Sequence, residues 1–116
     1  MHTVTVAKIL CSGHCSAGKM GLFGITASTE FGGLGLSYLC QCLVVEEMTR
    51  ASPSVAANYL SQSNLCINNL DKNGSPEQKA RLLPPLCSGN LCGALAMSEP
   101  GAGSDVIGGM KSTAIR

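Results

Sequence analysis

From Ala51 to Leu70 the chain runs twenty residues without a charged side chain. A helix of that length on a protein surface carries charge on its outer face, so a stretch with none is covered on most sides. Yet Asn58, Ser61, Gln62, Ser63, Asn64, Asn68 and Asn69 make it too polar for a bilayer, and nowhere does the chain offer eighteen consecutive apolar residues for a membrane span. Two readings stay open. The segment is the central helix of a small bundle, or it is one wall of an elongated pocket.

Ser52-Pro53 supplies the N-cap and first position of this helix, and Gly74 closes it after Asn73. Upstream, beyond the turn Phe31-Gly-Gly-Leu-Gly35, Ser37 caps a helix that runs to about Ala51 and is ended by Pro53. Leu39, Leu43, Val44 and Met48 recur at helical spacing and predict its apolar side, with Glu46, Glu47 and Arg50 on the polar one. Neighbouring Glu46 and Glu47 point about 100° apart, which suits a solvated face and not a catalytic carboxylate pair. Ser75-Pro76-Glu77-Gln78 is a capping box opening a further helix, which carries Lys79 and Arg81 to a break at Pro84-Pro85 and a turn at Ser88-Gly89. Leu91 to Met97 has the length and uncharged character of a buried strand. Helices followed by the opening of a sheet predict a mainly α chain, α+β overall.

At 116 residues the chain holds one domain at most, and with 3% aromatic residues and no Trp its core is built from small and medium side chains. A net charge of +1 excludes the basic footprint of a nucleic-acid or anionic-lipid binder. Seven Cys, an odd count without a CxxC pair, predict reduced thiols that serve as small apolar residues. Cys11, His14 and Cys15 are zinc-ligand types, but no second pair follows at finger spacing, so no metal site is assigned. The first twenty-nine residues contain no acid and carry Lys8, Lys19 and a short apolar run from Val4 to Cys11. An organelle-targeting leader and an ill-defined N-terminus both fit that pattern.

The segment LAMSEPGAGSD, residues 95–105, carries the chemistry. Gly101-x-Gly103 does not extend to a dinucleotide fingerprint, because the sixth position is Val106. A strand end delivers Ser98, Glu99, Ser104 and Asp105 around a backbone without bulky side chains, where successive N–H groups can approach a planar or phosphorylated ligand. An ordinary glycine-rich turn fits as well.

Ala96-Met-Ser-Glu-Pro-Gly-Ala-Gly-Ser-Asp105-Val-Ile-Gly108 resembles the first acyl-CoA dehydrogenase signature at every constrained position. The similarity extends through SNLCINNL, NGSPEQK, LLPPLCSGN, VVEEMTRAS and GLFGITASTEFGGLGL, covering about residues 21–110. Its wording is closest to the members that act on isovaleryl-CoA. The resemblance implies a divergent leader over 1–20, a partial N-terminal helical domain over 21–90, and over 91–116 the start of a middle β-domain with its flavin-contacting loop. It further implies a mitochondrial-matrix flavoprotein of leucine catabolism that holds FAD, works as a homotetramer and passes electrons to an electron-transfer flavoprotein. Such enzymes dehydrogenate a short branched acyl-CoA between Cα and Cβ, a Glu base taking the α-proton while the hydride passes to flavin. A related acyl-CoA oxidase is the other enzymatic reading.

Carried over by position, Leu95, Ala96, Met97, Ser98, Glu99, Pro100, Gly101, Ala102, Gly103 and Ser104 are similar to the FAD-contacting segment. Ser98 would lie near the N5/O4 edge, Ser104 where pyrophosphate and acyl-CoA converge, and Asp105 would support the loop. Ala57 and Ser61, one turn apart on the uncharged helix, would border the acyl pocket and widen it. The family's Glu base falls beyond Arg116 and no residue here is given that role, Glu99 included. The expectation is therefore a truncated, inactive form, or a non-catalytic acyl-CoA-binding or subunit-interaction module. Alone it would not retain FAD, the strand Leu91 to Met97 would lack partners, and residues 91–116 would be mobile.

Overall fold

The uncharged stretch is the axis around which the chain is wound. The computed structural model describes residues 3–7 and 12–113, so Lys8 and Cys11 of the leader readings lie outside the described residues. Strand β1 (Thr3–Ala7) precedes α1 (Ser12–Lys19), and two 3₁₀ turns (Leu22–Gly24, Thr29–Phe31) lead to α2 (Tyr38–Ala51). The axis follows as α3 (Pro53–Leu60), a π-helical segment (Ser61–Asn68) and α4 (Asn69–Asn73). Then come α5 (Pro76–Cys87), β2 (Cys92–Ala96) and the short α6 (Val106–Gly109). The mainly helical architecture is the one expected.

Tyr59, Cys66, Ile67 and Leu70 from the axis meet Leu83, Leu86 and Cys87 of α5 and Phe23 and Ala27 of the first connection. Leu83 and Leu86 are fully buried, and truncating either to Ala would cost roughly 2–5 kcal/mol. Phe23 lies between two rings, His14 at 4.5 Å and Tyr59 at 6.0 Å. The Tyr59 hydroxyl donates to the Leu22 carbonyl at 2.8 Å.

The capping box stands as read: the Gln78 N–H donates to Ser75 Oγ, and the Ser75 N–H donates to Gln78 Oε1. Ser37 and Ser52 occupy their N-cap positions without a side-chain cap bond. Glu46 and Glu47 both pair with Arg50 at 2.8 Å on the solvated face.

Three local expectations are corrected. Leu39 and Leu43 point outward at 69% and 56% exposure; the inward stripe of α2 is Gln41, Val44, Val45 and Met48, with Gln41 Nε2 donating to Ser63 Oγ at 3.1 Å. A polar residue at the leading inward position disguised the register. The α5 helix does not break at Pro84-Pro85 but runs to Cys87. The two missing N–H groups would have bonded the carbonyls of Ala80 and Arg81, both exposed residues, so water takes those acceptors while Leu83 and Leu86 hold the turn. Gly74 closes the axis after Asn73 as read, in an extended conformation with φ −74°. It is glycine for space, because a Cβ would lie 2.6 Å from the Leu70 carbonyl oxygen. The middle of the axis is π-helical, where an unbroken α-helix was expected.

The last correction concerns the strand. β2 is antiparallel to β1, in register from Thr3 with Ala96 to Ala7 with Cys92. The strand expected to lack a partner is paired by the N-terminal segment, and along it only Gly93 is buried, because a two-stranded ribbon covers one face alone. Beyond it, the chain expected to be loose makes bonds of its own through Glu99 and Asp105.

Candidate functional site: an apolar cavity and the loop beside it

α1, the end of α2, α3 and β2 border a half-open cavity of about 550 Å³, within the range of small-molecule sites. Ala17, Phe23, Met48, Val55 and Tyr59 supply apolar wall, the backbone of Cys92, Gly93 and Ala94 forms one side, and His14, Asn58 and Ser61 are the polar groups. No carboxylate is among these lining residues. Burial pushes the Tyr59 phenol above its ordinary pKa, Ser63 acting weakly the other way, so the group stays a neutral donor.

Of the two residues expected at the acyl pocket, Ser61 lines this cavity; Ala57 is exposed and absent from its walls. The Ser61 hydroxyl donates back to the Ala57 carbonyl at 3.1 Å, which makes it a satisfied, narrow patch of wall.

Leu95 to Ser104 do not line the cavity; they continue β2 away from it. Leu95 and Ala96 end near or on the strand, while Met97 and Ser98 are exposed. Glu99, Pro100, Gly101 and Ala102 form a tight turn, closed by backbone bonds of 2.9 and 3.0 Å between Glu99 and Ala102. Ala102 is buried; Gly103 and Ser104 are exposed. Asp105 accepts from the Gly108 N–H at 2.9 Å, and the Glu99 carboxylate accepts from the N–H groups of Lys111 and Ser112 at 2.8 and 2.9 Å. The Ser112 side chain, then these two N–H groups, hold the Glu99 carboxyl below its usual range. Glu99 is thus engaged in shaping the loop.

Two features escaped the sequence reading, the His14 contact and the Gln62 bonds, while the buried thiols agree with the reading of Cys as small apolar residues. His14 Nε2 lies 3.3 Å from the Leu91 carbonyl, which assigns the ring proton to that nitrogen. Gln62, 2% exposed, bonds three separate segments. Burial lifts the Cys66 and Cys87 thiols to about 11, with Cys92 and Cys87 adding to the first and Asp71 to the second. Both stay protonated near neutrality and serve as packing groups. Only the lack of charge around Gln62 hinted at its role. Among the described residues no cluster of three metal-ligating side chains occurs.

Fold and site together define a mostly helical domain that walls an apolar cavity and hands a glycine-rich loop to the first strands of a sheet. Residues 14–90 match the model of the acyl-CoA dehydrogenase N-terminal domain, and the chain belongs to the acyl-CoA dehydrogenase family. Over 91 residues, 78% of this chain and 22% of the relative, it is 59% identical to a mitochondrial isovaleryl-CoA dehydrogenase of Arabidopsis thaliana. A mitochondrial isobutyryl-CoA dehydrogenase of Bos taurus is 38% identical over 83% of the chain and 23% of its own length. The crystal structure of an acyl-CoA dehydrogenase complexed with FAD from Bacillus anthracis superposes with a TM-score of 0.72 at 33% identity, over 82% of this chain and 16% of that one. The chain thus spans about a fifth of the length of the curated relatives it matches.

Proposed function

We propose that this chain forms the acyl-binding wall and the flavin-contacting loop of an enzyme that dehydrogenates a short branched acyl-CoA of the isovaleryl type. The observation that carries the reading is at Gly101 and Gly103. A Cβ at either position would meet nothing within 4 Å, and neither glycine has a positive φ. Neither packing within the described residues nor turn geometry demands glycine there, and such bare backbone supports close approach by a ligand. The exposed N–H groups and Ser98 and Ser104 hydroxyls around them suit the polar edge and phosphates of FAD. When bound, FAD supplies the hydride acceptor for the β-carbon.

The work of these residues is to bind and orient. Phe23, Met48, Val55 and Tyr59 supply apolar contact for the acyl chain, and the small Ser61 leaves it room without offering a free donor. No carboxylate lines the cavity, so the α-proton goes to a base outside this set. The same reading assigns FAD contacts to Leu95–Ser104, substrate contacts to Ser61, Ala57 and Ser104, and the domain division at residues 20 and 90. The mitochondrial matrix, a homotetramer and an electron-transfer flavoprotein as acceptor belong to it too. A second reading is a non-catalytic acyl-CoA-binding or subunit-interaction module, which the apolar cavity lining also suits.

Calorimetric titration of the chain with isovaleryl-CoA, against free CoA as control, tests the proposal. Saturable one-to-one binding of the thioester beyond that of CoA is expected. Heat no different from buffer removes both readings for the isolated chain.

A further inference from the structure

The assigned site leaves out the most completely bonded side chain in the cavity's frame. Gln62 Nε2 donates to the Leu86 carbonyl and to the Leu91 carbonyl, each at 3.2 Å, and Gln62 Oε1 accepts from the Gly93 N–H at 2.6 Å. Two carbonyls and one N–H around the amide fix which atom is oxygen and which nitrogen. The three partners belong to the last turn of α5, the turn that follows it, and β2. Leu86 is one of the helix-end carbonyls that the helix itself cannot satisfy.

Gln62 follows Ser61, which lines the cavity, and Gly93, which it holds, lines it from β2. β2 sits so close over the π-helical segment that a Cβ on Gly93 would fall 2.1 Å from Cys66 Sγ. Besides its pairing with β1, the strand that carries the 95–104 loop is tied to the axis and to the end of α5 through one buried amide. We infer that Gln62 is a positioning residue: it sets the separation of the axis and β2 along the cavity and the placement of the ligand-binding loop. This rests on the functional reading above for the identity of the ligand, but not for the clamp itself.

Gln62→Leu removes all three bonds; the Leu86 and Leu91 carbonyls keep the Gly89 N–H and His14 Nε2, but the Gly93 N–H loses its acceptor, so the variant can lower stability without informing on position. Gln62→Glu is the discriminating variant. Its carboxylate still accepts from Gly93 but faces two carbonyls, a surrounding that raises its pKa. Once protonated, it both donates and accepts. Two quantities are read in wild type and both variants, at about pH 8 and about pH 5.5: amide exchange at Gly93 and Leu95, and affinity for isovaleryl-CoA. At the higher pH, Gln62→Glu should exchange about tenfold faster at Gly93 and bind about tenfold more weakly than wild type. At the lower pH both should return to within about threefold. His14, Tyr59 and the thiols of Cys66, Cys87 and Cys92 are present in both proteins, so the wild-type profile subtracts their titration.

Unchanged Gly93 exchange in both variants overturns the inference whatever the chain binds. Faster exchange with wild-type affinity at both pH values also overturns it, since the clamp would then position nothing that matters. If wild type fails to bind isovaleryl-CoA, the functional reading falls and the exchange data alone decide the clamp.

Discussion

Ser28 Oγ donates to both carboxylate oxygens of Asp71, at 2.8 and 3.0 Å. Asp71 is only 7% exposed, at the end of the axis, and Ser28 belongs to the connection forty-three residues earlier. One hydroxyl thus ties the second 3₁₀ turn to the core. Ser28→Ala leaves a buried carboxylate short of its donor and should cost about 1–3 kcal/mol. Denaturant unfolding of the variant checks this, and a midpoint equal to wild type would show that water satisfies Asp71.

Gly93 and Cys66 provide a test of packing between strand and helix. Gly93→Ala should lose about 1–3 kcal/mol through the clash with Cys66 Sγ. Cys66→Ala makes room, so the double variant should be more stable than the two single effects predict when added. Additive losses in a double-mutant cycle would mean that β2 moves away freely.

The Glu99 clamp has a defined pH sense. Its pKa is lowered in the folded chain, so the bonds to Lys111 and Ser112 contribute fully above the ordinary glutamate value and are lost as pH falls through the lowered one. Amide shifts of Lys111 and Ser112 should titrate together below the usual carboxylate range. In Glu99→Gln, which keeps one acceptor oxygen and loses the charge, the step should vanish. A titration at the ordinary value would mean the loop does not hold the carboxylate.

Gly101→Val and Gly103→Val address the ligand loop. Both positions open into empty space, so unfolding stability should stay within about 0.5 kcal/mol of wild type. Isovaleryl-CoA binding should weaken if the loop reaches the thioester arm. Wild-type chain loaded with excess FAD and then desalted should carry little flavin absorbance, because one loop covers a minor part of a ligand that such sites bury by about 70% or more. A stoichiometric flavin band after desalting would show that these residues hold the cofactor unaided.

What could be read in advance was whatever closes within a turn or two of chain. The Ser75 and Gln78 capping box, the Glu46, Glu47 and Arg50 face and the signature at 96–108 involve partners three or four residues apart, or a pattern of identity in one run. The uncharged axis announced its burial only in part: Gln62, Ser63, Cys66 and Ile67 of the π-helical segment are buried, while Ser54, Val55, Ala57 and Asn58 of α3 face solvent. The tertiary structure decided everything that depends on a distant partner. Gln41 turns inward because Ser63 waits for it twenty-two residues on, and α5 passes through two prolines because Leu83 and Leu86 are anchored in a core assembled from elsewhere. Gln62 became a clamp because folding brought the carbonyls of Leu86 and Leu91 and the Gly93 N–H to it. β2 found its edge in residues 3–7, nearly the whole chain away. Periodicity reports only which face of an element avoids water; the hydrogen-bond partners of a buried amide or a strand edge are set by the packing of separate elements, and only the assembled fold holds that information.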